Sequence, residues 1–477
     1  MGWHDYPSTS ELGWRAGLVF GLVAIGIGAG FFFAHRPQPH RVSLVLDSGS
    51  EVTALVPPGG AHLVAATFAP TGDKLAGEMT HRLLDDGVAV IEIPLDVYGA
   101  HLDREAKDDC HYVLGDVEDL SHKLERTLAF PVYRRPVIVG VGAGGAYAYG
   151  ALAQSPPNTV AGAVLVGFDP AIGTVRPFCP ETKSVARADG RFDIAAGFVP
   201  SEDEPARTAL VAPLAAFTRT PDPVLTAITE GAHADPPVVV TSTGVREAAI
   251  AALDMANAAA TADGTVPVDI IDPACKTDTM AVILSGDGGW RDLDKTIGER
   301  LAARGIGVVG VDSLAYFWSR KDPPQVGKDL GSLIARYQTT WKAKHVLLIG
   351  YSFGADVLPA SWTHIPESIR QAIGLVALLG FSPRADYEIS IGAYLGTSSG
   401  DADTVAAAAD LPLDRVVCIA GEEEGADSAC SAPVFDKAER ITTPGGHHFD
   451  GDYAALADRI VAAFARRSGD ALPATCP

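Results

Sequence analysis

The feature that most constrains the fold is an alternation of short apolar runs and amphipathic segments along the C-terminal half of the chain. Runs such as 346–349 are continuously apolar, which is typical of strands that are buried on both faces. Strands alternating with helices form βαβ units and a parallel, doubly wound sheet. The pattern predicts strands at 280–285, 306–311, 345–350, 373–379, 415–420 and 440–443, and helices at 297–304, 326–342, 355–362 and 453–466.

The strongest chemical motif is Gly350-Tyr351-Ser352-Phe353-Gly354, which lies between a predicted strand and a predicted helix. This context is the one that a nucleophile elbow needs, because the glycines permit a tight turn that presents the serine at the edge of the sheet. The alternative is a serine in an ordinary strand-to-helix turn. The motif predicts an α/β-hydrolase-like fold with Ser352 as the nucleophile.

A serine nucleophile needs a base, and in α/β-hydrolases the order along the chain is serine, acid, histidine. His447 and His448 follow the last predicted strand and precede the last helix. We favour His448, which directly precedes Phe449, with His447 as the alternative. An adjacent histidine pair could instead be structural or bind a metal, but no third ligand stands nearby in the sequence. We therefore expect neither a metal nor another cofactor.

The acid that orients the histidine is expected on the loop at 421–430, which carries several carboxylates. Asp427 is favoured because it is the shorter acid and lies beside Cys430, which a disulfide to Cys418 would fix. Glu424, three residues after the glycine at the end of the strand, is the alternative. The remaining acids of the loop are expected to be a solvated surface.

Two further elements would complete an acyl-transfer site. The backbone N–H of Phe353 and the glycine-rich turn at Asp287 and Gly288 are predicted to bind the oxyanion. That turn could also suggest phosphate binding, but it lacks the lysine of a P-loop. The aromatic run Tyr316-Phe317-Trp318 is predicted to line the substrate pocket, with a packed corner of the core as the alternative.

The N-terminal half repeats the pattern at offsets of about 210 to 218 residues, as when 87–90 is compared with 305–308. At the matching elbow Gly142 stands in the place of Ser352, and no histidine follows the predicted last strand at 237–241. We expect a tandem duplication with an inactive first copy that binds or docks; a dinucleotide-binding loop is the rival interpretation. The predicted organisation is two α/β-hydrolase-like domains with mostly parallel sheets, after an N-terminal segment: 1–40, 41–262 and 263–477.

The N-terminal segment contains an apolar run at 16–34, which as a helix of ~1.5 Å rise per residue spans about 28 Å, close to the thickness of a bilayer. A membrane anchor is favoured over a cleaved signal peptide. Six cysteines without a C-x-x-C pair fit disulfides in an oxidising compartment, with buried free thiols as the alternative. The formal charge of −22 argues against a nucleic-acid partner.

Four segments together resemble the bacterial virulence proteins VirJ and AcvB: 284–290, 316–319, 350–356 and 446–449. With its degenerate first half, the chain resembles the two-domain AcvB type. The resemblance implies a periplasmic serine hydrolase that splits lysyl-phosphatidylglycerol, a membrane phospholipid, into lysine and phosphatidylglycerol. The net negative charge agrees with a cationic aminoacyl lipid. The alternative is a non-catalytic accessory protein that binds components of a secretion or virulence apparatus.

Overall fold

The computed structural model describes residues 38–105, 109–155, 159–167, 169, 171–179, 184–194, 214–217, 245–258, 266–389, 400, 402–469 and 476. Within these ranges the strands are β1 His40–Val45, β2 Glu51–Val56, β3 Leu63–Ala69, β4 Val88–Pro94, β5 Val137–Val141, β6 Gly162–Val166, β7 Ala171–Ile172, β8 Ser184–Ala186, β9 Phe192–Ile194, β10 Leu214–Phe217, β11 Val268–Ile271, β12 Thr279–Leu284, β13 Gly307–Val311, β14 His345–Tyr351, β15 Ile373–Leu379, β16 Arg384–Ala385, β17 Ala402–Asp403, β18 Val416–Gly421 and β19 Glu439–Thr443.

The α-helices alternate with these strands through both halves of the chain. They are α1 Lys74–Asp85, α2 Leu95–Glu105, α3 Leu114–Thr127, α4 Gly144–Ala153, α5 Val245–Ala258, α6 Asp292–Ala302, α7 Ser313–Tyr316, α8 Pro323–Trp341, α9 Phe353–Trp362, α10 Glu367–Ala372, α11 Thr404–Ala407 and α12 Tyr453–Ser468.

The chain forms two large sheets with a shared strand order. The C-terminal sheet runs β11-β13-β12-β14-β15-β18-β19, and the N-terminal sheet runs β1-β2-β4-β3-β5-β6-β10. In the C-terminal sheet only the edge strand β11 is antiparallel to its neighbour, while β1 and β2 form the antiparallel edge of the other sheet. In the C-terminal sheet β13 lies on one side of β12, and β14 followed by β15 lies on the other. In the N-terminal sheet β4 lies on one side of β3, and β5 followed by β6 lies on the other. All of these strands are parallel to their neighbours. This is an α/β-hydrolase-like fold with mixed, mostly parallel sheets.

Burial on both faces explains why the strands of the C-terminal sheet are continuously apolar. On one face of the sheet, residues of α8 and α9 such as Ile334 and Leu358 pack against Val346 and Leu348. On the other face, α6 and α12 pack their apolar sides against the alternate residues of the same strands. The three layers bring the carboxyl ends of the parallel strands to one edge, where loops form the site.

All six cysteines form disulfides: Cys110–Cys179, Cys275–Cys476 and Cys418–Cys430. The predicted pairing of Cys418 with Cys430 is confirmed, and the alternative of free thiols is wrong. Disulfides persist in oxidising compartments, so the protein is extracytoplasmic in character.

Three predictions concern residues that lie outside the described ranges: the apolar run at 16–34, the last strand of the N-terminal half at 237–241, and the domain boundary between 262 and 263. Among the residues that the structure does describe, no helix is both long and apolar enough to cross a membrane.

Candidate active site

Ser352 occupies a strained turn between β14 and α9. Its backbone has φ +51° and ψ −121°, a conformation that costs a non-glycine residue roughly 1–3 kcal/mol. A Cβ on Gly350 would lie 2.5 Å from the backbone oxygen of Gly354, and one on Gly354 would lie 2.3 Å from that of Leu284. Both glycines of the motif are therefore required by close backbone approach. The turn is a nucleophile elbow by its geometry.

His447 contacts the serine hydroxyl and a carboxylate through its two ring nitrogens. Its Nε2 lies 2.7 Å from Ser352 Oγ, and its Nδ1 lies 2.6 Å from Glu424 Oε1. The other oxygen of Glu424 accepts a hydrogen bond from the backbone N–H of Gly421 at 2.8 Å. The side chain of Glu424 is 6% exposed and that of His447 is 40% exposed. The carboxylate is thus fixed in a buried position, while the imidazole faces the open side of the site.

The preference for His448 over His447 is corrected by this geometry. Residues 445–449 form a tight turn, in which Gly445 has φ +85° and a Cβ there would lie 1.8 Å from the backbone oxygen of Phe449. Neighbouring side chains in the turn diverge, and the planes of the two imidazoles are 79° apart. The Nδ1 of His448 lies 3.1 Å from the hydroxyl of Tyr351 instead of reaching the serine.

The preference for Asp427 is corrected for a related reason. The chain enters a 3₁₀ turn at Glu422–Asp427 directly after β18, which returns Glu424 to the end of the strand. Gly425 then breaks the helical backbone with φ +52°, and Asp427 is exposed beyond it. The disulfide of Cys430 forms as expected but does not direct Asp427 towards the histidine.

The glycine-rich turn after β12 lies against the serine. A Cβ on Gly286 would lie 3.7 Å from the Cβ of Ser352. Ser285 and Ser313 are fully buried beside the turn. Ser313 donates from its backbone N–H to the Ser285 hydroxyl at 2.9 Å and from its own hydroxyl to the Ser285 backbone oxygen at 2.7 Å. Asp287 and Gly288 face a cavity together with Ser352 and His447.

Phe353, the third predicted oxyanion residue, is the first residue of α9. Backbone N–H groups at a helix N-terminus have no partner within the helix and carry partial positive charge. Its N–H directly follows Ser352 and the turn at 286–288 lies beside Ser352, so both segments are candidates for the donors that an oxyanion hole requires.

The cavity has a volume of about 680 Å³ and is open to the surface. Three carboxylates line it, from Asp287, Asp294 and Asp452, together with one guanidinium, from Arg291. The lining also includes His448, Tyr351 and Tyr453. The volume is that of a small-molecule site. Within the described ranges no group of three or more histidine, cysteine or acidic side chains is arranged to hold a metal ion.

The prediction that Tyr316, Phe317 and Trp318 line the pocket is wrong; they form a packed corner of the core, as the alternative held. They are 6%, 0% and 2% exposed. The Tyr316 hydroxyl donates to Asp329 at 2.6 Å, and Phe317 packs edge-on against Phe353 with ring centroids 4.9 Å apart. The run supports the elbow from beneath and does not face the cavity.

Several residues around the relay carry no motif of their own. Gly380 has φ +61°, and a Cβ there would lie 2.8 Å from Cε1 of His447, so the glycine makes room for the imidazole. Asp356 is buried beneath the elbow, where its Oδ1 accepts from the N–H of Ser382 at 2.7 Å. Burial raises the pKa of Asp356 well above its usual range, which favours its neutral form. The sequence offers one indication of this role: Gly380 directly follows the predicted strand at 373–379, which neighbours the strand before the elbow.

The N-terminal half has the same elbow without a hydroxyl. Gly142 has φ +58°, and its N–H donates to the Val166 oxygen at 2.8 Å, as that of Ser352 donates to the Leu379 oxygen at 2.8 Å. A Cβ on Gly144 would lie 1.9 Å from the Phe68 oxygen, which is closer than the 2.3 Å at Gly354.

Residues 278–468 match the family model described as bacterial virulence protein (VirJ). Over this range the chain is similar to the VirJ family. The resemblance noted from four motifs is thereby confirmed over the range that contains Ser352, His447 and Glu424. No curated protein matches the chain in sequence.

Several solved structures align with part of the chain at low similarity. Est1E from Butyrivibrio proteoclasticus aligns at 12% identity and a TM-score of 0.34, covering 44% of this chain and 98% of that one. XC6422 from Xanthomonas campestris, described as an α/β serine hydrolase without lid, aligns at 17% identity and a TM-score of 0.31. The alignment covers 44% of this chain and 90% of that one. MenH from S. aureus aligns at 14% identity and a TM-score of 0.30, and the alignment covers 43% of this chain and 99% of that one. At these values the similarities carry no information about the substrate.

Proposed function

We propose that this chain is a serine hydrolase of carboxylic esters, with Ser352 as nucleophile, His447 as base and Glu424 as the orienting acid. The observation that carries the proposal is the continuous relay at the strained elbow, with contacts of 2.7 Å and 2.6 Å. Nucleophile, base and orienting group within hydrogen-bond distance define this class of site independently of sequence order. An intact relay also favours an enzyme over a purely accessory protein.

The relay supports a two-step acyl transfer. His447 Nε2 takes the proton of Ser352 Oγ as the oxygen bonds to the ester carbonyl carbon, and the carbonyl oxygen becomes an oxyanion. The N–H groups of Phe353 and of the turn at 286–288 stabilise that charge. The tetrahedral intermediate then expels the alcohol, which receives the proton from His447. Water repeats the sequence on the acyl-enzyme, releases the acid and restores the serine.

Glu424 holds the imidazole with Nδ1 protonated and stabilises the imidazolium that forms in each step. Its second oxygen is bound to the Gly421 N–H, so the carboxylate cannot rotate away without breaking that bond. The buried position strengthens the interaction relative to one in water.

The proposed substrate is an aminoacyl ester of a phospholipid, with lysyl-phosphatidylglycerol as the specific candidate. The choice follows what the resemblance of the sequence motifs to VirJ and AcvB implies. The cavity is consistent with it, because Asp287, Asp294 and Asp452 offer negative charge to the ammonium groups of a lysyl ester. Asp294 is buried, whereas Asp287 and Asp452 are more exposed. An exposed charge pair contributes on the order of 1 kcal/mol or less, so the preference over a neutral ester is expected to be tens-fold.

The proposed setting is the periplasm, with residues 16–34 as a membrane anchor beside the lipid substrate. The three disulfides support an oxidising compartment. We further propose that 263–477 is the catalytic domain and that 41–262 is an inactive relative of it.

The test is release of lysine from lysyl-phosphatidylglycerol in detergent micelles, with a neutral diacylglycerol in matched micelles as the competing substrate. We expect faster cleavage of the aminoacyl lipid by the wild type and loss of both activities in Ser352→Ala. Faster cleavage of the neutral lipid would contradict the proposed substrate but not the proposed hydrolase activity. Undiminished cleavage by Ser352→Ala would contradict the hydrolase itself.

A further inference from the structure

The N-terminal half contacts the active-site half through α3, whose residues reach two places in the VirJ-like region at 278–468. At the first, the guanidinium of Arg126 lies 3.7 Å above the ring of Trp318 and donates to its backbone oxygen. The indole N–H of Trp318 in turn donates to the backbone oxygen of Phe130 at 2.9 Å. This contact is part of the packed core corner and lies away from the cavity.

The second place is the oxyanion turn. Glu118 of α3 is 8% exposed, and its Oε1 accepts a hydrogen bond from Nη1 of Arg291 at 2.7 Å. The two side chains are 11% and 26% exposed, so the ion pair is largely removed from water. Truncating one partner of such a pair leaves a partly buried charge without its counter-ion, which is costly.

Arg291 carries this contact onto the turn itself. A Cβ on Gly288 would lie 2.5 Å from Nη2, 2.9 Å from Nε and 3.1 Å from Cζ of Arg291. The Nε–Nη2 edge of the guanidinium therefore occupies the space beside Gly288 that a side chain there would need. One side of the guanidinium is bound by Glu118 and the other touches the segment that would hold the oxyanion.

We propose that Glu118 is a positioning residue, through which the inactive half of the chain fixes the oxyanion turn of the active half by way of Arg291. The inference rests on the proposed hydrolysis at Ser352. It gives the degenerate half a role in the reaction although Gly142 deprives that half of a nucleophile. Oxyanion donors act through their position, and displacements near 1 Å can cost about 10²-fold in rate.

The experiment measures inactivation by a fluorophosphonate, whose phosphoryl oxygen must enter the oxyanion hole as Ser352 attacks. The variants are Glu118→Ala and Glu118→Gln, and the matched control is Glu388→Ala. Glu388 forms the other ion pair of the same junction, with Arg126 at 3.5 Å, and does not line the cavity. For each protein we measure the inactivation rate constant at saturating fluorophosphonate, the concentration that gives half of that rate, and the pH dependence of the rate.

We expect Glu118→Ala to lower the saturating rate about tenfold, with the half-saturating concentration and the pH profile unchanged because the Ser352–His447–Glu424 relay is intact. Glu118→Gln keeps an oxygen that accepts from Arg291 but loses the negative charge, so its rate should lie between those of Glu118→Ala and Glu388→Ala, two- to fivefold below the latter. Glu388→Ala should remain within twofold of the wild type. Should Glu118→Ala fail to fold, a rate for Glu118→Gln between two- and fivefold below that of Glu388→Ala would support the proposal.

Equal rates in the Glu118 and Glu388 variants would overturn it, as would a change confined to the half-saturating concentration. Failure of the proposed hydrolysis looks different, because then the wild-type protein itself would not be labelled at Ser352.

Discussion

Two strand-to-helix turns in this chain have similar backbone conformations and differ in the side chain at one position. Gly142 and Ser352 have φ +58° and +51°, donate the same hydrogen bond to the neighbouring strand, and are flanked by glycines that tolerate no Cβ. The elbow is therefore a structural property of the sheet edge, and the hydroxyl is an addition to it. The comparison teaches that the fold forms this turn with or without the side chain that uses it, and that the backbone strain arises only where serine replaces glycine.

The sharpest way to break the comparison is to make the elbow at Ser352 like the elbow at Gly142 with Ser352→Gly. Turnover should fall roughly 10⁶-fold, the typical effect of removing a serine nucleophile. The free energy of unfolding should stay constant or rise by about 1 kcal/mol, because glycine adopts positive φ without strain. Ester hydrolysis and chemical denaturation test the two parts. Activity within tenfold of the wild type would show that another residue is the nucleophile.

The acids after β18 give the next largest expected effect. Glu424→Ala should lower kcat roughly 10³- to 10⁴-fold, since the imidazole loses the partner that fixes its tautomer. Asp427→Ala is the matched control on the same turn and should stay within twofold. Steady-state kinetics of both variants decide between the two carboxylates. The reverse ranking would restore the assignment favoured by the sequence.

The two halves also differ in how they use a buried glutamate. Glu424 is held by donors at the cavity, whereas Glu125 of α3 is fully buried and accepts from Ser121 and from the N–H of Arg134. Burial raises the pKa of Glu125 to about 8. Between pH 4.5 and 8 the folded state then keeps a proton that the unfolded state releases, so stability falls as pH rises.

Glu125→Gln should remove this slope, which amounts to at most about 1.4 kcal/mol per pH unit. Chemical denaturation from pH 4.5 to 8 measures it: the free energy of unfolding of the wild type should fall relative to that of the variant as pH increases. Parallel curves for the two proteins would mean that Glu125 is ionised in the folded state.

The smallest expected effect comes from restoring a side chain to the inactive elbow. A Cβ on Gly142 meets no atom within 4 Å, so Gly142→Ser should cost only the positive φ, about 1–2 kcal/mol. Gly144→Ala, which brings a Cβ to 1.9 Å from the Phe68 oxygen, should cost more. Denaturation of both variants tests the ranking. In the Ser352→Gly background, Gly142→Ser should not restore fluorophosphonate labelling, and labelling at that serine would show a functional base in the N-terminal half.

Much of the VirJ-like region could be predicted from the sequence because strands buried on both faces have an unmistakable composition. The run at 373–379 matches β15 in full, and the runs at 345–350 and 415–420 differ from β14 and β18 by one residue at the ends. The antiparallel strand β11 was not predicted. It is four residues long and only partly buried, so its sequence lacks the continuous apolar run.

The site was predictable in position and only partly in detail. Local spacing placed a serine, a histidine pair and an acidic loop at one sheet edge. The choice between His447 and His448 depends on the direction of side chains in a tight turn and on the space at Gly380, 67 positions before His447 in the chain. The buried location of Tyr316 to Trp318 depends on α8, on the elbow helix α9 and on α3 of the other half. These are tertiary contacts, and periodicity does not contain them.

The most direct test of the Ser352–His447–Glu424 relay is fluorophosphonate labelling of His447→Ala and His448→Ala side by side, with the labelled peptide identified by mass spectrometry. The relay predicts that Ser352 is labelled in the wild type. It also predicts labelling at a near wild-type rate in His448→Ala, because the His448 imidazole lies 3.1 Å from the Tyr351 hydroxyl and is not part of the relay. It predicts no label on the wild-type time scale in His447→Ala. Wild-type labelling of His447→Ala, with loss of the label in His448→Ala, would contradict it.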